Sequence, residues 1–169
     1  YLSANRNKRS ITIDLARPEG QDLVRRLVER SDVLIENYKV GDLQRYGLDY
    51  DSLQRVNPRL VYCSVTGFGQ TGPYAAQPGY DTVFQAMSGL MSVTGADADN
   101  LYRVGVPVID MISGIFTAVG ILASLLDRER TGTGHTVSTS LLEAAIAIAV
   151  FHGQRYLSTG VVPEPQGND

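Results

Sequence analysis

From Val104 to Leu126 one charged side chain, Asp110, interrupts a run that is otherwise uncharged and mostly apolar. It reads Gly105-Val-Pro-Val-Ile-Asp110-Met-Ile-Ser-Gly114-Ile-Phe-Thr-Ala118-Val-Gly-Ile-Leu122. A bilayer span needs roughly 18 or more apolar residues with few charges. Asp110, Ser113, Gly114, Thr117 and Gly120 break the run below that standard. The expectation is therefore a buried helix over Val108–Arg128, closed by the cations Arg128 and Arg130 and by Gly132. A carboxylate at the edge of such a helix must be hydrated, hydrogen-bonded or functional, because an unpaired buried charge is costly. At helical spacing behind Asp110 stand Gly114, Ala118 and Leu122, and the nearer two leave room for a reacting molecule. An aspartate in a first turn is also a common partner of the helix dipole, so helix chemistry alone leaves both roles open.

The chain has 169 residues, enough for one domain with a real core. Its net charge of −3 offers no global basic surface for nucleic acid. A single cysteine, Cys63, excludes a disulfide framework and a multi-cysteine metal site. The two histidines, His135 and His152, lack metal-ligand spacing, so no metal is expected. No secretory signal is visible, and a cytoplasmic protein without membrane contact is the expectation. The ends, opening at Tyr1 and closing on Pro163-Glu-Pro-Gln-Gly-Asn-Asp169, suggest a piece of a longer polypeptide.

Ser10–Asp14 alternates and is rich in β-branched residues, which predicts a strand. Pro18 and Glu19 open a helix whose stripe is Leu23, Val24, Leu27 and Val28. Val33–Ile35 and Leu60–Val65 read as buried strands, with short helices predicted at Val40–Tyr46 and Tyr50–Val56 between them. Strand, helix, strand, helices, strand is the rhythm of an α/β unit with parallel pairing. Further on, Tyr80–Val93 reads as a helix, Gly95–Asn100 as a polar turn, Thr136–Ser138 as a short strand and Ser140–Leu157 as a second greasy helix. Two helices with so little polar face need cover on most sides, more than a monomer of this size supplies, so a missing segment or a second subunit is expected.

Gly67-Phe-Gly69-Gln-Thr-Gly72 is a literal G-x-G-x-x-G after a strand. A dinucleotide site needs the third glycine inside a helix whose N-terminus faces the pyrophosphate. Pro73 and Pro78-Gly79 oppose such a helix, and no acidic residue ends a second strand about 20 residues on. A glycine-rich connection is the better reading.

The motifs in order are Asn5-Arg-Asn-Lys8-Arg9-Ser10; Asp32-Val-Leu-Ile-Glu36-Asn37-Tyr38 with Gly41, Leu43, Arg45 and Gly47; Ser64-Val-Thr66-Gly67-Phe-Gly69-Gln-Thr-Gly72-Pro73; Gly79-Tyr80-Asp81; Gln85-Ala-Met-Ser88-Gly89; Asp110 with Gly114; and Arg130-Thr131-Gly132-Thr-Gly134. Jointly they resemble the class III CoA-transferases, the family of formyl-CoA transferase, carnitine CoA-transferase and α-methylacyl-CoA racemase. The resemblance covers nearly the whole chain. It implies a portion of a Rossmann-like large domain, a parallel-sheet unit followed by long buried helices, with residues 1–169 lacking the parts before and after. It implies an interlocked homodimer, acyl-CoA and carboxylic acids as substrates, and no tightly bound cofactor. It places the nucleophile on Asp110, and the coenzyme A contacts on Asn37, Tyr38, Arg45 and Tyr80.

Where the racemase branch carries a histidine acid/base, this chain has Tyr80, whose pKa of about 10 when unperturbed disfavours proton shuttling at neutral pH. A basic residue that some relatives use is replaced here by Ala16, beside Arg17. The chemistry implied is exchange of CoA between a thioester and a free acid through an aspartyl anhydride and an aspartyl-CoA thioester, which the fragment alone should not perform. Free helix N–H groups would keep Asp110 ionised. The other readings are a racemase of the same family, an NAD-binding oxidoreductase and a non-catalytic interaction module. Residue by residue, the alternatives are that Asn37 forms a turn, Tyr38 covers the sheet end, Arg45 lies in solvent and Tyr80 packs at a helix start. Glu143 is read as a first-turn dipole partner.

Overall fold

The computed structural model describes residues 2–165. In chain order it holds α1 (Leu2–Asn5), α2 (Pro18–Val28), β1 (Val33–Glu36), α3 (Tyr50–Leu53), β2 (Val61–Thr66), α4 (Asp81–Met87), β3 (Gly95–Asp97), β4 (Asn100–Leu101), α5 (Val108–Thr131), β5 (Thr136–Ser140), α6 (Leu141–Ile148) and α7 (Val150–Thr159). Single 3-10 turns lie at Gln44–Tyr46 and Met91–Val93. β1, β2 and β5 form a parallel sheet in the order β1-β2-β5, with Ile35 beside Cys63 and Cys63 beside Val137. β2 is central and its residues Val61–Ser64 are buried, as a strand covered on both faces must be.

One core gathers Val28, Leu43, Leu48, Leu53, Leu60 and Tyr62, with Leu15, Val24 and Tyr50 packed on it. Local polar contacts fix the connections around it. Asp49 caps α3 by accepting from the Ser52 backbone N–H at 3.1 Å. Asn57 donates to the Val28 and Ser31 carbonyls, both at 2.9 Å, and so closes the end of α2. A second core, Phe84, Ile109, Leu141 and Ala145, joins α4, α5 and α6.

Helix α5 sets the reach of the site. Its 24 residues span about 36 Å, far longer than the strands it packs on. Near its C-terminus Arg128 is 8 % exposed, and its guanidinium donates to the Arg59 carbonyl at 3.1 Å and to the Asp32 carboxylate at 2.9 Å. These contacts pin that end to the segments entering β1 and β2. The opposite end, with Asp110, therefore lies at the carboxyl edge of the sheet, where open α/β folds bind ligands.

Several predicted elements differ. Ser10–Asp14 forms no ladder among the described residues, because alternation makes a strand only where a neighbour pairs with it. The helix expected at Val40–Tyr46 contracts to the turn Gln44–Tyr46, closed by Gly47 at φ 62°. The helix expected over Tyr80–Val93 ends at Met87, before Gly89 at φ 83°. The turn predicted at Gly95–Asn100 is a small antiparallel hairpin, β3 with β4. The helix expected over Ser140–Leu157 breaks at Ala149, whose N–H bonds the Ile146 carbonyl in a tightened turn with no proline or glycine to announce it. Among the described residues the helices expected to be buried are covered on one face only. On α5 the stripe Met111, Ile115, Val119, Leu122 and Leu126 is more than half exposed, and so are Ile146, Phe151 and Leu157 beyond it. α5 is long and apolar enough to cross a membrane by length and composition, yet its other face packs on β2, β5, α4 and α6.

Candidate active site

Each strand of the sheet delivers one wall of a pocket. Asn37 follows β1, Gly67 follows β2, and Leu141 follows β5. Asn37 is held there by donating its side-chain amide to the Val65 carbonyl across the strand pair. With Tyr80 and with Asp110, Ser113, Gly114 and Thr117 of α5 they line a pocket of about 570 Å³. A Cβ built on Gly114 would meet no atom within 4 Å, so the face beside Asp110 is open. Deeper in the pocket the Thr117 hydroxyl is buried without a hydrogen-bond partner among the described residues.

The approach of α4 to this pocket rests on two glycines. A Cβ on Gly79 would stand 2.3 Å from the Phe84 ring, and one on Gly67 would stand 3.0 Å from it. Phe84, fully buried, therefore sets the tip of its ring against both glycines and seats α4 beside the end of β2. Tyr80, the residue before α4, projects outward and is 82 % exposed. Tyr38 and Tyr80 share an adjoining pocket of about 180 Å³ with Asn37, Gly67 and Pro78. Thus Asn37, Tyr38, Tyr80 and Asp110 gather around two neighbouring cavities. Arg45 does not line them; it pairs loosely with Asp42 at 3.9 Å and its guanidinium lies 4.7 Å from the Tyr46 ring centre.

Asp81, to which the sequence alone gives no role, is the side chain that bonds the start of α5. Its Oδ2 accepts the backbone N–H of Ile109 at 2.7 Å and of Asp110 at 3.1 Å. Gln85, one turn on and fully buried, donates its amide to Asp81 Oδ1 and accepts the Val104 N–H at 2.8 Å. The Asp81 and Gln85 spacing of i, i+4 shows in the sequence that both share a helix face. Nothing local shows that this face meets a helix start nearly thirty residues later.

The expectation that free helix N–H groups hold Asp110 ionised is thereby corrected. The N–H groups of Ile109 and Asp110 are occupied by Asp81, and among the described residues no donor reaches the Asp110 carboxylate. Its pKa moves up from the ordinary carboxylate value, first through partial desolvation and second through the negative charge of Asp81. Glu143 lies in the first turn of α6, where its N–H donates to Ser140 Oγ at 3.1 Å, a side-chain N-cap, and the Ser140 hydroxyl donates to its carboxylate at 2.7 Å. The G-x-G-x-x-G loop reaches no helix before Asp81, with Gly69 and Gly72 at φ 91° and 96°, so it offers no helix N-terminus to a pyrophosphate.

A parallel α/β sheet whose carboxyl edge carries a pocket with a carboxylate at a helix start has the arrangement of a ligand-binding α/β fold. The sequence profile of CoA-transferase family III matches residues 1–169, and the chain belongs to that family. It is 48 % identical over 168 residues to a succinate–glutarate CoA-transferase of Agrobacterium fabrum, covering 99 % of this chain and 42 % of that protein. To the succinyl-CoA–D-citramalate CoA-transferase of Chloroflexus aurantiacus it is 40 % identical, covering 96 % of this chain and 40 % of the relative. A crystal structure of a CAIB/BAIF family protein from Brucella suis superposes with a TM-score of 0.94 at 44 % identity, over 97 % of this chain and 43 % of that one. The chain thus spans less than half the length of these relatives.

Proposed function

We propose that this chain is the nucleophile-bearing part of a CoA-transferase that moves CoA from an acyl-CoA to a free carboxylic acid. The observation that carries the reading is the Asp110 carboxylate, unpaired among the described residues and open toward Gly114, in the pocket that also holds Asn37 and Tyr80. In this mechanism an Asp110 oxygen bonds to the thioester carbonyl carbon, the C–S bond breaks, and CoA thiolate leaves an aspartyl acyl anhydride. The thiolate attacks the aspartyl carbonyl and releases the donor acid. The acceptor carboxylate then attacks the aspartyl-CoA thioester. The freed thiolate takes the acyl group from this second anhydride, forming the new acyl-CoA and restoring Asp110. Covalent catalysis of this kind divides one difficult exchange into easier steps. A carboxylate of raised pKa is a better nucleophile than one quenched by hydrogen bonds, provided the pH keeps it ionised.

Asn37, Tyr38 and Tyr80 line the path of the pantetheine and thioester, and Arg45 meets a CoA phosphate from outside the pocket. Short dicarboxylic acids are the substrate class, supported by the names of the relatives at 48 % and 40 % identity. The chain is one portion of a large domain, it is inactive alone, and the whole works as an interlocked homodimer in the cytoplasm. The exposed stripe from Met111 to Leu126 supports that cover. The test uses the full-length protein with succinyl-CoA and a panel of other CoA esters, quenched with hydroxylamine. A hydroxamate on the Asp110 peptide is expected by mass spectrometry. CoA binding without any adduct would sink the covalent route and return racemase-like chemistry to first place.

A further inference from the structure

We propose that Asp81 is the positioning residue of the nucleophile: its buried carboxylate takes the first N–H groups of α5, so that Asp110 is denied them and stands bare in the pocket. The inference rests on the reading of Asp110 as nucleophile and adds the device that keeps it reactive. A helix begins with N–H groups that lack internal partners, and an aspartate in the first turn ordinarily competes for them. Pro107, at the N-cap, has no side chain that can satisfy them. Asp81 does so from another helix, with one oxygen on both N–H groups. Its other oxygen is held by Gln85, whose carbonyl in turn fixes Val104 in the segment leading into α5. Asp81 is 7 % exposed and Gln85 is fully buried, so this arrangement has no slack for exchange with solvent.

The geometry has two effects on Asp110. It removes the hydrogen bonds that would stabilise and blunt the carboxylate, and it sets a negative charge behind it that raises its basicity. Of the other titratable groups on elements packed against α5, Tyr62 and Cys63 of β2 and Glu143 of α6 do not line the pocket, and only Tyr80, beside α4, shares it with Asp110. Asp81 is therefore the charge that adds to the desolvation, the larger cause, in raising the Asp110 pKa.

The experiment measures the first half-reaction, acyl-CoA with the full-length enzyme and no acceptor, trapped with hydroxylamine across pH. Wild type is compared with Asp81→Asn and with Asp81→Asn/Gln85→Glu. In the double variant the amide introduced at position 81 accepts the two helix N–H groups and donates to the carboxylate introduced at position 85, which still accepts from Val104. Every hydrogen bond is kept while the charge moves one turn along α4, away from the start of α5. We expect the acid limb of the rate to shift to lower pH in both variants, further in Asp81→Asn, where the charge is deleted, than in the double variant, where it is moved. The double variant carries the test should the single one fail to fold. An unshifted limb with wild-type rate in the double variant would reduce Asp81 to a structural cap and overturn the inference, leaving the nucleophile reading intact. A wild-type enzyme that traps no adduct at any pH would instead remove the nucleophile reading on which it stands.

Discussion

The two cores of this molecule solve opposite problems. The first, around Leu48, Leu53 and Leu60, closes over itself: these side chains are at most 2 % exposed and the polar groups beside them cap turns and helix ends. The second, between α4, α5 and α6, buries polar side chains among its apolar ones, Asp81, Gln85, Ser113 and Thr117, while its outer helices show a bare apolar stripe. Burying polar groups costs free energy unless each finds a partner. The first core is thus organised for stability. The second spends its interior on holding a carboxylate in place and leaves its exterior to be covered by something else.

The sharpest way to break that contrast is Asp110→Asn in the full-length protein. Exchange should fall by at least about a thousandfold, with the fold retained by circular dichroism. The same change should raise thermal stability at neutral pH. Asp110 has a folded-state pKa above its unfolded value, so its contribution is present at low pH and is lost as pH rises through the folded pKa. Asparagine does not titrate, so the gain should vanish in acid. A loss of stability at neutral pH would put Asp110 among the structural caps and erase the distinction between the cores.

Core truncations come next. Leu53→Ala, at a site with no exposure, should cost about 2–5 kcal/mol by denaturant unfolding. Leu122→Ala asks what covers the second region, since Leu122 is 65 % exposed in this chain. If the remaining polypeptide or a partner copy seals the stripe, the cost in the full-length protein should approach the same range. A change within about 0.5 kcal/mol would mean the stripe stays bare.

Why one region was legible and the other was not follows from range. β1, β2, β5 and the stop at Gly132 are written in local pattern, because strand hydrophobicity and cap chemistry act over a few residues. The place of Asp110 at a helix start was legible for the same reason. Its electrostatics were misread, since the partner of its helix N–H groups comes from α4 across a tertiary contact. The strand read at Ser10–Asp14 failed for a matching reason: its pattern is right, and no neighbour among the described residues pairs with it.

A smaller effect probes the first core by pH. Burial pushes the Tyr62 phenol far above its ordinary range, with Glu36 and Asp49 adding to the shift, and its hydroxyl donates to the Leu48 carbonyl at 3.2 Å. Folded Tyr62 holds its proton where the unfolded chain loses it. Stability from this group is therefore complete below about pH 10 and falls as pH rises beyond it. Tyr62→Phe should cost about 1 kcal/mol at neutral pH through the lost hydrogen bond, and the gap to wild type should close above pH ~10. A gap that stays constant would show that Tyr62 titrates like a surface tyrosine.

The smallest change in stability belongs to Arg45→Ala, and there the two kinds of residue separate most cleanly. Its side chain is 62 % exposed and its partner Asp42 stands 3.9 Å away, a pair worth at most about 0.5 kcal/mol in solvent. Unfolding of the full-length variant should match wild type within that margin. If the guanidinium meets a CoA phosphate, the lost charge-assisted bond should raise the KM for acyl-CoA roughly tenfold with kcat nearly unchanged. The KM of wild type should also rise with salt while that of the variant rises less, because screening weakens an exposed ionic contact. Equal KM values for the two proteins at low salt would return Arg45 to the solvated surface.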